Sequence, residues 1–162
     1  MTAAAVFKVL FVCTGNICRS PSAEGVFRAL IAREGLAGRV DTDSAGTAGY
    51  HLGEHPDPRS CEAAQRRGIN IHKLRARRVA VGDFAAFDLV LAMDRGHHAQ
   101  LSRLCPPEMR DRLRLFLDFA PQLGIEDVPD PYYGGQDGFE RVLDMIEAGC
   151  QGILRHIRET AL

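Results

Sequence analysis

The strongest structural signal in this chain lies in the segment Val12-Cys13-Thr14-Gly15-Asn16-Ile17-Cys18-Arg19-Ser20-Pro21. An apolar run at residues 9–12 precedes it, and apolar residues at helical spacing follow it from Ser22 onward. The pattern predicts a turn that leads from a buried strand into the N-terminus of a helix. Free backbone N–H groups and the helix dipole favour an anion at such a turn. We therefore expect a phosphate loop after the first strand.

A cysteine opens this loop and an arginine closes it, with five residues between them. The planar guanidinium of Arg19 can bind two phosphate oxygens at once. A thiol at a helix N-terminus loses its proton readily to give the reactive thiolate. Ser20 can stabilise a departing thiolate, and Gly15 permits a sharp turn. The segment predicts phosphoryl transfer through a cysteinyl-phosphate on Cys13. Cys-x5-Arg also occurs by chance, and the alternative is a buried structural cysteine.

Length, charge and cysteine count limit the class of protein. The chain has 162 residues, enough for one domain spanning residues 1–162, and a net charge of −1. A net charge this close to zero does not favour binding to nucleic acid or to an acidic membrane. The sequence contains neither an apolar stretch of membrane-spanning length nor the pattern of a signal peptide. The odd count of five cysteines suits a reducing compartment, so we expect a cytoplasmic protein.

Apolar patterns along the chain alternate between those of strands and those of helices. Strands are predicted at 7–12, 39–43, 88–93 and 113–117, and helices from Ser22 to Gly35, from Pro58 to Gly68, before Leu104 and over 139–157. This alternation predicts an α/β fold, a four-stranded parallel sheet with helices on both faces. Cys13, Ser44 and Asp94 would lie at the carboxyl edge of the sheet, where such folds bind ligands.

A second motif, Asp130-Pro131-Tyr132-Tyr133-Gly134, forms a stiff turn with two aromatic rings. A phosphate monoester needs a proton on its leaving oxygen, and the carboxyl of Asp130 is the best candidate to supply it. The two tyrosines could wall a slot for an aromatic ring. From composition alone, an alternative is a turn at the surface in which the two tyrosines only pack against the protein.

Four segments in order resemble the low-molecular-weight protein tyrosine phosphatases: the phosphate loop, 43–47 with 56–59, 91–95 and 130–134. The resemblance spans most of the chain. It implies hydrolysis of phosphotyrosine in a protein substrate, such as an autophosphorylating tyrosine kinase, and no metal or cofactor. The implied site comprises the catalytic residues Cys13, Arg19 and Asp130, the loop residues Thr14, Gly15, Asn16, Ile17, Cys18 and Ser20, the supporting residues Ser44 and Asp94, and the cleft residues Tyr50, Tyr132 and Tyr133.

The resemblance also assigns individual roles. Asp130 acts as general acid and then as the base that activates water, while Asn16 and Ser44 brace the loop. Asp94 bonds the loop or its arginine, although helix capping is an alternative for both Ser44 and Asp94. Cys18 can form a disulfide with the nucleophile, which is chemically sensible for an oxidation-prone thiolate. The family's supporting histidine has no clear counterpart, because its expected position has His72-Lys73, and we expect His72 to lie on the surface.

Other functions fit the sequence less well. An arsenate reductase of this fold needs a redox cysteine pair, but residues 70–95 contain no cysteine. Arginine phosphatases resemble this chain but have threonine where Ile17 stands. A zinc site from Cys13, Cys18 and later histidines has unsuitable spacing. A phosphate-binding module without turnover would usually have lost one of the catalytic residues.

Overall fold

A computed structural model describes residues 5–133 and 135–162, except for the side chains of Tyr133 and Gln136. Four strands form one parallel sheet in the order β2-β1-β3-β4. Their bounds are β1 Phe7–Cys13, β2 Val40–Gly46, β3 Leu89–Ala92 and β4 Leu113–Leu115. The predicted parallel α/β fold is therefore confirmed.

Helices cover both faces of the sheet. The α-helices are α1 Arg19–Arg33, α2 Pro58–Arg66, α3 Asp83–Ala86, α4 Arg95–Leu104 and α5 Gln136–Thr160. Short 3-10 helices occur at Pro107–Arg112, Phe116–Phe119, Pro121–Leu123 and Pro131–Tyr133. The short helix α3 has no counterpart among the sequence predictions.

The side chains of β1 alternate between two apolar clusters, one on each face of the sheet. Val9 and Phe11 pack with α1 and α5, whereas Leu10 and Val12 pack with residues of α3 and α4. These four side chains are fully buried, because β1 lies between β2 and β3. Burial on both faces explains why this strand is continuously apolar in sequence.

Several boundaries differ from the sequence predictions. Strand β4 ends at Leu115 rather than at residue 117, because Phe116–Phe119 form a 3-10 helix. Two other differences lie next to the site. Helix α1 begins at Arg19 rather than at Ser22, since Pro21 is tolerated in the first turn of a helix. Strand β2 continues to Gly46 instead of ending near residue 43, so Ser44 lies within the strand and caps no helix. The earlier start of α1 leaves only residues 14–18 between the end of β1 and the helix, so the phosphate loop lies directly between Cys13 and Arg19.

Candidate active site

Cys13 is the last residue of β1, and its thiol faces the start of α1. It pairs in register with Gly46 at the end of β2, and it is only 3% exposed. Its Sγ lies 3.0 Å from Oγ of Ser20, and the backbone N–H of Ser20 donates to the sulfur at 3.4 Å. Two hydrogen-bond donors can therefore stabilise negative charge on this sulfur. The arrangement fits the predicted role of Ser20.

Asn16 braces the loop from within. It is the one non-glycine residue with positive φ among those described, at 57°. Its amide nitrogen donates to Oγ of Ser20 at 2.8 Å and to Oγ of Ser44 at 3.0 Å, and its amide oxygen accepts from the backbone N–H of Arg77 at 2.9 Å. Asparagine tolerates the left-handed conformation, and its side chain satisfies three partners at once. The predicted bracing by Asn16 and Ser44 agrees with this geometry.

Two glycines make room around the loop. A Cβ on Gly46 would lie 2.6 Å from the carbonyl oxygen of Thr14, so only glycine lets β2 approach the loop this closely. A Cβ on Gly15 would lie 2.8 Å from Cδ2 of His51. The sequence argument gave Gly15 a role in a sharp turn, but the left-handed residue is its neighbour Asn16. A side chain at Gly15 would instead crowd the ring of His51, which would have to move aside.

Arg19 is held by groups from two other segments. Its Nη1 donates to Oδ2 of Asp94 at 3.0 Å and to the carbonyl oxygen of Val128 at 2.9 Å. Its Nη2 lies 3.7 Å from Oδ2 of Asp130. Asp94 also caps α4, because its Oδ1 accepts the backbone N–H of His97 at 2.8 Å. Both predicted roles of Asp94, as partner of the arginine and as helix cap, therefore hold together.

A buried carboxylate extends the bracing network beyond Ser44. The Ser44 hydroxyl donates to Oε1 of Glu24 at 2.7 Å, and Nη2 of Arg28 donates to the other oxygen at 3.0 Å. Burial raises the pKa of Glu24, although the bonds from Ser44 and Arg28 act against that rise. The network uses no histidine. His72 is exposed and stacks on His55, with 5.2 Å between ring centroids, as expected of a surface residue.

The loop opens into a cavity of about 210 Å³. Cys13, Arg19 and Asp130 line it together, although Asp130 lies far from the other two in sequence. Other lining residues come from the phosphate loop and from the two flanking segments: Thr14, Gly15, Ile17, Cys18, Tyr50, His51 and Tyr132. The structure thus brings the predicted nucleophile, cation and acid to one opening. The side chain of Tyr133 lies outside the described residues, and its place in the cleft stays a prediction.

Two residues at the cavity or beside its lining, His51 and Arg59, have no role among the sequence predictions. His51 lies at the rim, and its Nδ1 is 2.5 Å from Oε2 of Glu54. Arg59 lies over the rings of Tyr132 at 5.2 Å and Phe139 at 4.8 Å, which joins the aromatic wall to α5. The local spacing His51-x-x-Glu54 was a weak signal. No local pattern pointed to the stacking of Arg59 on distant rings.

The cysteines differ in their surroundings. Burial raises the pKa of the Cys18 thiol to about 12, despite a hydrogen bond with Ser60 that lowers it. Cys18 is therefore a neutral thiol at physiological pH. All five cysteines are free. Cys105 and Cys150 are buried as expected, but Cys61 is only partly buried rather than part of the core.

In the described part of the chain, no three His, Cys, Asp or Glu side chains are grouped as metal ligands would be. Within the same residues, no helix is long and apolar enough to cross a membrane.

Comparison with known proteins identifies the family. A family model described as low molecular weight phosphotyrosine protein phosphatase matches residues 8–161. The low molecular weight protein-tyrosine-phosphatase of Streptomyces coelicolor is 48% identical over 157 residues, or 94% of each chain. Among solved structures, the protein tyrosine phosphatase of Entamoeba histolytica matches with a TM-score of 0.92 at 38% identity, over 96% of this chain and 99% of the other. The structure of YfkJ from Bacillus subtilis matches with a TM-score of 0.91 at 37% identity, and the match covers 99% of this chain and 100% of that one.

These matches extend over nearly the whole chain and agree with the architecture of the loop. The fold class and the phosphatase function predicted from the sequence are confirmed at the level of the family. The chain belongs to the low molecular weight phosphotyrosine protein phosphatase family.

Proposed function

We propose that this protein hydrolyses phosphotyrosine in proteins through a cysteinyl-phosphate formed on Cys13. The observation that carries the proposal is the meeting of Cys13, Arg19 and Asp130 at one cavity of about 210 Å³. A nucleophile, a cation and an acid at one opening are the groups that transfer of a phosphoryl group to a thiolate requires.

In the first step, the Cys13 thiolate attacks phosphorus in line with the leaving oxygen. The guanidinium of Arg19 and the backbone N–H groups of residues 14–19 hold the three equatorial oxygens. They thereby stabilise the charge of the transition state. Asp130 donates its proton to the departing phenolate, so that the products are free tyrosine hydroxyl and cysteinyl-phosphate.

In the second step, Asp130 takes a proton from water as the water attacks the phosphocysteine. The S–P bond breaks, inorganic phosphate leaves, and the thiolate is restored. The Oγ of Ser20, 3.0 Å from the sulfur, donates a hydrogen bond to the departing thiolate. Its orientation is supported by Asn16, whose amide donates to the same oxygen at 2.8 Å.

The cleft supports an aryl phosphate as the substrate. Tyr50 and Tyr132 line the cavity, and both rings are well exposed, at 82% and 40%. A flat aromatic leaving group can lie between such rings. We assign Tyr133 to the same cleft. A tyrosine kinase that phosphorylates itself is a suitable substrate, and a cytoplasmic location would keep the Cys13 thiol reduced.

The test is phosphate release from a phosphotyrosyl peptide in the presence of EDTA, with a phosphoarginine substrate beside it. We expect turnover of phosphotyrosine that disappears in Cys13→Ser, while circular dichroism shows an intact fold. Cys61→Ser is the matched control, because Cys61 lies outside the cavity lining. Preference for phosphoarginine, or full activity in Cys13→Ser, would contradict the proposal.

A further inference from the structure

A second set of contacts ties the two ends of the phosphate loop to the start of α4. The Oγ1 of Thr14, the residue after the nucleophile, lies 2.7 Å from Nε2 of His97. The backbone N–H of His97 donates to Oδ1 of Asp94 at 2.8 Å, and the other oxygen of Asp94 accepts from Arg19 at 3.0 Å. A bracket of four residues therefore connects the residue after the nucleophile with the last residue of the loop: Thr14, His97, Asp94 and Arg19.

His97 is built into this bracket rather than placed at the surface. It is only 4% exposed, so its imidazole is shielded from bulk water although Thr14 itself is exposed. The pKa of His97 is lowered to about 4, mainly by burial and secondly by the positive charge of Arg19. The negative charges of Asp94, Asp130 and Asp127 raise it, but by less. The imidazole is therefore neutral at physiological pH and carries one N–H.

The position of that proton follows from the neighbouring carboxylate. Nδ1 of His97 lies 3.1 Å from Oδ1 of Asp94, yet the angle is unsuitable and the buried nitrogen makes no hydrogen bond. A proton on Nδ1 is attracted by this carboxylate, whereas a lone pair would be repelled by it. We therefore assign the proton to Nδ1. Nε2 then accepts the hydroxyl proton of Thr14.

The bond matters because it controls the backbone that binds phosphate. The carbonyl oxygen of Thr14 accepts from the N–H of Ala48 at 3.0 Å, while the side chain is held by His97. With the side chain and the carbonyl both held, the N–H groups of Thr14 and its neighbours keep their direction toward the bound oxyanion. Neither the end of β1 nor the cap of α4 by Asp94 requires the contact between Thr14 and His97.

We propose that His97 is a positioning residue for the phosphate loop, acting through the hydroxyl of Thr14. The inference rests on the proposed function, since it concerns how the same loop holds its oxyanion. His97 is not among the residues that line the cavity. Substitution of its side chain leaves the backbone bond to Asp94 in place but also removes Nδ1, which lies 3.1 Å from Oδ1 of Asp94. Thr14→Val removes the contact with His97 and leaves both interactions with Asp94 in place.

The experiment is a double-mutant cycle with Thr14→Val, His97→Phe and both together. Binding of inorganic phosphate is measured by isothermal titration calorimetry, and kcat and KM are measured on a phosphotyrosyl peptide. We expect each single variant to weaken phosphate binding about five- to tenfold, the effect of one hydrogen bond. The double variant should bind no more weakly than either single variant, because all three lack the same bond.

Two further variants separate positioning from a general effect on folding. His97→Gln retains a side-chain oxygen that can accept from Thr14, and we expect phosphate binding within about twofold of the wild type. His98→Phe changes the adjacent histidine on α4, whose side chain, among the described residues, bonds only to Ser102 of its own helix, and should leave phosphate binding unchanged.

Thr14 lies in an exposed part of the loop, so Thr14→Val tests the inference even if His97→Phe fails to fold. Unchanged phosphate binding in Thr14→Val, or losses that multiply in the double variant, would overturn the inference. Calorimetry needs no turnover. A wild type that binds phosphate but hydrolyses nothing would refute the proposed function alone, and one that binds no phosphate would overturn both.

Discussion

Asn16 is the residue whose loss should affect both the stability and the activity of this protein. It is 2% exposed and holds three partners: Oγ of Ser20, Oγ of Ser44 and the backbone N–H of Arg77. It also adopts φ of 57°, where most side chains are strained. We expect Asn16→Gly to lose only the hydrogen bonds. Asn16→Ala should lose the bonds and keep a Cβ in the left-handed region without the polar side chain that compensates for it.

The size of each effect follows from these contacts. Three buried hydrogen bonds at about 1 kcal/mol each give a loss of about 3 kcal/mol for Asn16→Gly. Relative to Asn16→Gly, the Cβ that remains in the left-handed region adds about 1 to 2 kcal/mol to the loss in Asn16→Ala. For a chain of this length, each kcal/mol lowers Tm by about 2 to 4 °C. Loosening of the loop should also lower kcat/KM by about 10- to 100-fold in Asn16→Gly.

The assay is urea unfolding followed by circular dichroism, with steady-state kinetics on the same samples. Asn70→Ala is the control, since Asn70 is exposed and, within the described part of the chain, its side chain accepts only the N–H of His72. Equal stability of Asn16→Gly and Asn16→Ala would refute the backbone argument. A loss below about 1 kcal/mol in both variants would refute the account of the hydrogen bonds.

Three other predictions concern single side chains. Asp130→Ala should slow hydrolysis of phosphotyrosine by about 10²- to 10⁴-fold but affect p-nitrophenyl phosphate less, and equal losses in stopped assays would count against the acid role. Burial raises the pKa of Glu24, so its contribution to stability is present below pH 4.5 and is lost as pH rises through its pKa in the folded protein. In urea unfolding at increasing pH, the wild type should therefore lose stability relative to Glu24→Gln. A difference in unfolding free energy that stays constant with pH would refute this. Arg59→Ala should raise KM for phosphotyrosine a few-fold because it frees the ring of Tyr132, whereas an unchanged KM would show that the stacking has no role.

The sequence predicted the parts of the site that are close together along the chain. Cys13, Arg19 and Ser20 form one short loop, and the strand before it is apolar because it is buried on both faces. The start of α1 was three residues too late in the prediction, because helical periodicity becomes visible only where apolar residues recur. The loop itself contains the first helical turn at Arg19.

The contacts that join distant segments were harder to predict. Asp130 could be placed by its motif and by the family resemblance, but the pairing of Thr14 with His97 spans 83 positions and leaves no local pattern. Glu24 is hidden for another reason: a charged residue on a helix ordinarily indicates a solvated face, and only the fold places it against Ser44. Spacing such as Asp94-x-x-His97 indicates a helix cap, yet it gives no information on what the imidazole binds.

The most direct test of the mechanism is to identify the phosphorylated residue. The protein is mixed rapidly with a phosphotyrosyl peptide, quenched and digested, and the fragment with Cys13 and Cys18 is sequenced by tandem mass spectrometry. The account predicts phosphate on Cys13 that decays as inorganic phosphate accumulates, and none on Cys18, whose pKa is raised to about 12 by burial. Phosphate on Cys18 would contradict this mechanism. So would turnover by the wild type with no detectable phosphocysteine, if the same quenching conditions preserve the phosphocysteine of Asp130→Ala.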